Sequence, residues 1–294
     1  MKPNKIILLL FASLINLNAN AQRFDKVEIK AAQLTEKVYM LQGAGGNIGL
    51  SVGDQEIFII DDQFAPLSQK ILDAIKKISN KPLTFLVNTH FHGDHTGGNE
   101  NMAKAGATII AHENVKKRLK GIQRDGTFKS KETIPVITFN DKLNITINDE
   151  DVAVFHVSNA HTDGDSILYF TESNVLHTGD TYFNGRYPYI DLNSGGSING
   201  YIEAVKRAMI LINEDTKIIP GHGQVSNLTE YKSFLNMLET LRGNIQNAID
   251  SGKSEEDIQS DSSLTKDYDD LDYGTGFINS ERIRLTIYKS LTGK

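Results

Sequence analysis

The chain has 294 residues, enough to bury one substantial core or two small ones. Its formal charge is −6, so we expect no basic surface for nucleic acid and predict a small molecule as the partner. Because the sequence contains no cysteine, it excludes disulfides and thiolate ligands, and any metal site would use histidine and carboxylate groups. Nothing in the composition predicts an oligomeric state.

Residues 1–21 have the pattern of a secretory signal peptide. Two lysines precede the apolar run 6–17, and the small residues Ala19 and Ala21 lie just before Gln22. The apolar run is shorter than the roughly 20 residues that span a membrane, so we expect cleavage before Gln22 and no stable membrane anchor. The pattern predicts an exported protein, either periplasmic or secreted.

The first half of the remaining chain alternates short apolar runs with amphipathic segments, which predicts strands and helices in turn. The predicted strands are Val38–Leu41, Ile48–Val52, Ile57–Ile60, Leu83–Val87 and Thr108–Ala111. The predicted helices are 67–79, Gly98–Ala105 and Glu113–Lys120.

The second half follows the same order of strands and then helices. Its predicted strands are Ile145–Ile147, Val152–Val157, Ser166–Phe170, Val175–Thr178 and Lys217–Pro220. Its predicted helices are Ile198–Ile212, Thr229–Ile249 and a closing helix, Ile278–Leu291. Residues 251–272 are acidic and rich in serine, which predicts a solvated connection. Strands followed by helices, twice over, predict two sheets face to face with helices outside.

A dense cluster of polar residues follows the predicted strand Leu83–Val87. His90, His92, Asp94 and His95 place four potential ligands within six residues. Imidazoles at alternate positions of an extended segment can point the same way. A cluster of this kind is typical of a site for two metal ions about 3.5–4 Å apart.

Three distant residues extend the cluster, each in a loop beside a predicted strand. His161 lies between two strands, Asp180 follows Val175–Thr178, and His222 follows Lys217–Pro220. Since loops at one rim of a sheet sandwich can converge, we expect these side chains to join the first four.

With these residues, the His-x-His-x-Asp-His run resembles the metallo-β-lactamase superfamily of hydrolases over about residues 35–225. The resemblance implies an α/β fold, a four-layer αβ/βα sandwich with its site at one edge of the two sheets. It also implies that residues 22–294 form a single hydrolase domain with C-terminal helices.

The resemblance further implies two zinc ions, with manganese or ferrous iron as alternatives. The implied ligands of the first metal are His90, His92 and His161. The implied ligands of the second metal are Asp94, His95 and His222, with Asp180 bridging the two. Asp61, after the strand Ile57–Ile60, would support the metal-binding loop without binding metal itself.

The predicted activity is hydrolysis of a small ester-like substrate by a metal-bound hydroxide, with Asp94 as the catalytic residue. A lactone, a thioester or a lactam would fit. A broad-spectrum β-lactamase is an alternative, although many β-lactamases of this fold carry cysteine where this chain has Asp180. A metal-dependent phosphodiesterase and a non-catalytic metal-binding scaffold are further alternatives.

Aromatic and polar residues near the ligands are candidates for substrate binding. The candidates are Phe91, Tyr182, Phe183, Asn184 and Arg186, and they would suit a substrate with an apolar body and a carboxylate. A packed surface loop is the alternative for the stretch that follows Asp180. The remaining histidines, His112, His156 and His177, are interpreted as packed or helix-start residues.

Overall fold

The computed structural model describes residues 24–121 and 129–293 of the chain. The predicted signal peptide and its cleavage site lie outside the described residues. Within the described ranges, no helix combines the length and the apolar character that crossing a membrane requires.

Seven strands form the first sheet, in the same order as in the chain. They are β1 (Lys30–Gln33), β2 (Val38–Gln42), β3 (Ile48–Val52), β4 (Ile57–Ile60), β5 (Leu83–Asn88), β6 (Thr108–His112) and β7 (Ile137–Phe139). Strands β1 to β4 are antiparallel, whereas β4 to β7 run parallel. The parallel strands therefore end at one common rim of the sheet.

Five strands form the second sheet. They are β8 (Lys142–Ile147), β9 (Glu150–His156), β10 (Ser166–Phe170), β11 (Val175–His177) and β12 (Lys217–Ile219). Strands β8 to β11 form an antiparallel meander, and β12 adds to β11 in parallel. Strands β11 and β12 thus also end side by side.

Nine α-helices connect or cover the sheets in the part of the chain that the structure describes. They are α1 (Ser68–Ile78), α2 (Gly93–Thr96), α3 (Asn99–Lys104), α4 (Glu113–Lys120), α5 (Ile198–Met209), α6 (Leu228–Asp250), α7 (Glu255–Ser260), α8 (Lys266–Asp269) and α9 (Ser280–Thr292). Helix α5 illustrates why these helices form. The Ser197 side chain accepts from Gly200 N and so caps the first turn, and the buried face of the helix includes Ile202 and Val205.

The two sheets pack face to face over an apolar core. Phe58 and Val87 of the first sheet meet Val154, Leu168 and Ile219 of the second in one buried cluster. A second cluster joins the outer face of the first sheet to α1, and a third joins the outer face of the second sheet to α5, α6 and α9. The predicted α/β sandwich, with helices outside two sheets, is confirmed.

The segment predicted as a solvated connection was interpreted wrongly. Residues 251–272 contain α7 and α8, and Ile258 of α7 is fully buried against the outer helices. Most of the other side chains of residues 251–272 face water, so the acidic composition of the segment hides its helices. We call residues 255–293 the C-terminal cap.

One buried arginine holds the parts of the C-terminal cap together. Arg284 is 3% exposed, and its Nε donates to the carbonyl of Gln259 at 2.9 Å. Its Nη1 donates to Thr265 Oγ1 at 2.6 Å and lies 4.0 Å from the Asp269 carboxylate. A buried guanidinium satisfied in this way ties α7, α8 and α9 to one another.

Replacing this arginine with a residue of similar length tests its role. Arg284→Met leaves the two acceptors without their donor, so we expect the free energy of unfolding to fall by about 2 kcal/mol. Urea denaturation followed by circular dichroism measures the change. Arg242→Met is the matched control, because Arg242 of α6 is only half-buried and makes one exposed hydrogen bond, to Asn199 Oδ1 at 3.4 Å. Equal stability of the two variants would contradict the structural role of Arg284.

Candidate metal centre

The first group of predicted ligands lies where β5 ends. His90 and His92 follow β5 in a bent segment that is extended at His92, and the chain then enters the short helix α2 at Gly93. That helical turn carries Asp94 and His95 beside the two imidazoles. The motif therefore projects its four side chains into one region because the bent segment passes directly into a helical turn.

The other predicted ligands reach the same rim from the second sheet. His161 lies in the loop between β9 and β10, Asp180 lies in a 3-10 turn directly after β11, and His222 follows β12. Because β11 and β12 are parallel neighbours, their carboxyl ends bring Asp180 and His222 together. The structure thus assembles all seven predicted ligands.

The seven side chains form two groups of potential donor atoms. Within each group, the atoms lie within 4.8 Å of one another. One group is His90, His92, His161 and Asp180, and the other is Asp94, His95 and His222. The division matches the two ligand sets that the sequence resemblance implies.

Asp180 lies between the two groups and presents one oxygen to each. Its Oδ2 is 3.8 Å from His90 Nε2 and 3.6 Å from His161 Nε2. Its Oδ1 is 3.1 Å from His95 Nε2 and 3.3 Å from His222 Nε2. A single buried carboxylate therefore faces imidazoles of both sets.

Several polar atoms at this centre have no hydrogen-bond partner among the described residues. They are His90 Nε2, His95 Nε2 and Asp180 Oδ1, and all three are fully buried. His95 Nε2 and Asp180 Oδ1 lie 3.1 Å apart, but without the alignment of a hydrogen bond. Buried polar atoms are normally satisfied, because leaving one unpaired costs about 1–3 kcal/mol. A cation held between these atoms would satisfy them, so the donor set fits a metal.

Two imidazoles of the first set make hydrogen bonds through the ring nitrogen that faces away from the centre. The lone pair of the other ring nitrogen therefore points toward the centre. His92 Nε2 donates to Asp191 Oδ2 at 3.0 Å, and His161 Nδ1 donates to the carbonyl of Tyr189 at 2.7 Å. The remaining ring nitrogens, His92 Nδ1 and His161 Nε2, then face each other at 2.9 Å. Two facing lone pairs repel unless a positive charge lies at them.

Asp61 orients ligands in both sets through a short chain of hydrogen bonds. Its Oδ2 accepts from His95 Nδ1 at 2.7 Å and from Thr89 Oγ1 at 2.7 Å. Thr89 in turn accepts from His90 Nδ1 at 3.1 Å. The predicted supporting position of Asp61 agrees with this placement. Thr89 and Asp191 were missed, although Thr89 directly precedes the ligand run.

The charges of the second set favour positive charge at its imidazoles. Burial opposes protonation of His222, yet Asp180 and Asp94 raise its pKa to about 9. The same carboxylates raise the pKa of His95 well above its usual value, against the effect of burial. In the first set, burial lowers the pKa of His161 to about 4. A neutral imidazole is the form that binds a metal.

Two glycines allow the ligands to approach closely. A Cβ at Gly221 would collide with Asp180 Oδ1, and a Cβ at Gly46 would collide with the His95 ring. Neither glycine has a positive φ, so space rather than backbone conformation requires the missing side chain.

A cavity of about 830 Å³ opens over the centre. Phe91, Phe183 and Arg186, three of the predicted substrate-binding residues, line it together with Asp94 and His222. The C-terminal cap contributes a wall made of Phe277, Ile278 and Arg282, which the sequence did not indicate. The volume of the cavity suits a small molecule.

The other two predicted substrate-binding residues lie elsewhere. Tyr182 is 1% exposed, its ring centroid lies 4.8 Å from that of Phe234, and its hydroxyl bonds Ser226 Oγ at 2.7 Å. Asn184 donates to the carbonyl of Gln224 at 3.2 Å. Neither residue lines the cavity, and both instead brace the loop against α6. Phe183 faces the site and packs on the His222 ring.

The three histidines interpreted as packed residues also lie away from the two groups. His112 caps α4 by accepting from Asn114 N, and its ring stacks on that of His156 at 3.8 Å. His177 is buried in β11, and its Nε2 lies 3.2 Å from the carbonyl oxygen of Asn47.

Comparison with known proteins gives the same family that the ligand motif resembles. A family model described as the metallo-β-lactamase superfamily matches residues 46–222. Hydroxyacylglutathione hydrolases of a Polaromonas species and of Nitrosococcus oceani are 28% and 29% identical over 163 and 165 residues. Each alignment covers 55% of this chain and 57% of the relative. The match thus spans little more than half of these relatives.

A solved structure shows the same fold. The metallo-β-lactamase from Pontibacter korlensis superposes with a TM-score of 0.62 at 16% identity. The superposition covers 72% of this chain and 99% of that structure. At this identity the likeness establishes the fold.

The close approach at Gly221 yields a prediction. Gly221→Ala pushes a methyl group against Asp180, so we expect zinc affinity to fall about 10- to 100-fold, as for other changes that displace metal ligands. Competition with a chromogenic chelator measures the affinity. Gly243→Ala, in α6 where a Cβ meets nothing within 4 Å, is the control. Unchanged zinc affinity of Gly221→Ala, with only a lower melting temperature, would argue against the centre.

Proposed function

The chain belongs to the metallo-β-lactamase superfamily, and from this premise we propose that it is a dinuclear zinc hydrolase of a small ester-like substrate. That it is a metal-dependent hydrolase follows from the family and from its hydroxyacylglutathione hydrolase relatives. The observation that carries the dinuclear proposal is the position of Asp180, with one oxygen toward each ligand group. A lactone, a thioester or a lactam is the proposed substrate class.

The proposed ligands divide as the two groups of donor atoms do. His90, His92 and His161 would hold one zinc ion, and Asp94, His95 and His222 the other, with Asp180 shared. Imidazole and carboxylate donors suit zinc, and they also accommodate manganese and ferrous iron. Zinc bound there would lower the pKa of water and polarise the substrate carbonyl.

Asp94 is the proposed catalytic residue. Its Oδ2 lies 3.4 Å from His222 Nε2 and 3.8 Å from His95 Nε2, and its side chain is 29% exposed where it lines the cavity. Burial raises the pKa of this carboxyl group, but the neighbouring histidines hold it below its usual value. The carboxylate is therefore ionised and can orient the attacking water, and we propose that it also relays the proton to the leaving group.

The relatives support the thioester within this class. The curated proteins are named hydroxyacylglutathione hydrolases, and an acylglutathione carries its acyl group on sulfur. The alignments cover 57% of each of these relatives, so a thioester remains a proposal for this chain.

The catalytic proposal is tested on zinc-loaded protein with a panel of lactones, thioesters, β-lactams and phosphodiesters. Metal analysis should find two zinc ions per chain.

For the substrate that the wild type hydrolyses best, we expect Asp94→Asn to lower kcat about 10²- to 10⁴-fold at full zinc loading, because proton transfer is lost. Asp151→Asn, at an exposed position of β9, is the control. An Asp94→Asn rate within about threefold of wild type would remove Asp94 from the mechanism.

We also propose that the chain is exported and begins at Gln22 after cleavage. The positive start, the apolar run 6–17 and the small residues before Gln22 support this. Mass spectrometry of the protein recovered from a periplasmic or culture fraction should give an N-terminus at Gln22. An intact Met1 in a membrane fraction would overturn the proposal, and Ala21→Pro should block the cleavage.

A further inference from the structure

The C-terminal cap is fastened to the loop that lines the cavity. The hydroxyl of Tyr187 donates to Asp269 Oδ1 at 2.6 Å, and its backbone N donates to the carbonyl of Tyr273 at 3.2 Å. Ser280 Oγ, at the start of α9, donates to the same Asp269 oxygen. These hydrogen bonds hold the cap, and the cavity wall that it forms, against the loop that carries Tyr187.

This wall carries a cation between two aromatic rings. The guanidinium carbon of Arg282 lies 4.7 Å from the Phe277 ring centroid and 5.4 Å from the Tyr189 centroid. Contacts of this kind hold a guanidinium in place while its N–H groups remain free to donate. Arg282 is thus held in position at the cavity wall.

Arg282 and Arg186 have no carboxylate within 4.0 Å among residues 24–121 and 129–293, although both line the cavity. By contrast, Arg284, two positions further along α9, turns inward and is buried. The acidic groups of the cavity are Asp94 and Asp180 at the metal centre and Asp191, which accepts from His92 Nε2. The cavity therefore presents its ligand groups at the floor and unpaired positive charge on the wall.

An aromatic surface connects these two regions. The ring of Tyr189 stacks near that of His92, with centroids 5.8 Å apart and an interplanar angle of 24°. Phe277 meets Tyr189 edge to face at 5.8 Å and is 74% exposed. An exposed phenylalanine that lines a cavity offers a contact for an apolar part of a ligand.

We propose that Arg282, with Phe277 and Tyr189, forms a subsite for a carboxylate of the substrate, and that the substrate is an anionic ester-like compound. This inference rests on the proposed hydrolase function. The scissile group would lie over Asp94 and the metal ligands, the apolar portion along Tyr189, and the carboxylate on the Arg282 guanidinium. A guanidinium binds a carboxylate through two parallel N–H donors.

The test uses two thioesters that differ only in charge, 4-(acetylthiomethyl)benzoate and 4-(acetylthiomethyl)benzamide, in which the ring lies between the scissile group and the carboxylate or amide. The wild type should prefer the acid, in kcat/KM, by about tenfold, the effect of one charge-assisted contact. Arg282→Gln should remove most of this preference through KM, and Arg282→Lys should restore part of it. Arg242→Gln, on α6, is the control and should keep the wild-type preference. Equal preference in Arg282→Gln and wild type would overturn the subsite.

A binding measurement separates this proposal from the proposed activity. Calorimetry on zinc-loaded protein compares 3-phenylpropionate with 3-phenylpropionamide. The acid should bind about tenfold more tightly to the wild type, and Arg282→Gln should lose that difference. A carboxylate bound at the metal centre would give the same affinity in both proteins, which would refute the subsite. If neither thioester is hydrolysed while the binding difference holds, the thioester activity fails and the subsite stands.

Discussion

The metal centre depends on Asp180, a buried carboxylate surrounded by four imidazoles. Removing a carboxylate from water costs several kcal/mol unless opposite charge or hydrogen bonds compensate it. Here His95 and His222 hold its pKa well below the usual value despite burial. The parallel pairing of β11 and β12 within the second sheet places Asp180 beside His222.

The surrounding residues hold the imidazoles in the orientation that this arrangement requires. In the first sheet, Asp61 follows β4 and His90 follows the parallel neighbour β5, so the two strands end at one rim. Asp61 then reaches His95 directly and His90 through Thr89. Such outer hydrogen bonds fix the tautomer and the ring direction of each ligand, which is why metal sites depend on them.

The C-terminal cap links stability to the shape of the cavity. Asp269 accepts from Tyr187 in the site loop and lies near Arg284 in the cap, so one acidic side chain joins the two. The family match ends at residue 222, before the cap begins. The predicted metal ligands thus all lie within the matched region, whereas the cap adds a cavity wall from outside it.

Much of the architecture follows from local patterns in the sequence. Apolar runs such as Ile57–Ile60 are strands because their side chains are buried on both faces, and that burial is visible in composition. The two edge strands of the first sheet were missed for the same reason. β1 is almost entirely exposed, and β7 exposes two of its three residues, so neither has an apolar run to reveal it. Their pairing depends on backbone hydrogen bonds to a neighbour.

The sequence by itself determined the kind of chemistry, because the spacing of His90, His92, Asp94 and His95 and the absence of cysteine restrict the ligands to imidazole and carboxylate. Only the tertiary structure decided which side chains share a group and which face the substrate. Tyr182 and Phe183 are neighbours in the chain, yet one packs under α6 and the other lines the cavity. Arg282 and Arg284 diverge in the same way. The direction of a side chain in a loop or on a short helix depends on what the rest of the fold places beside it, and that information is not local.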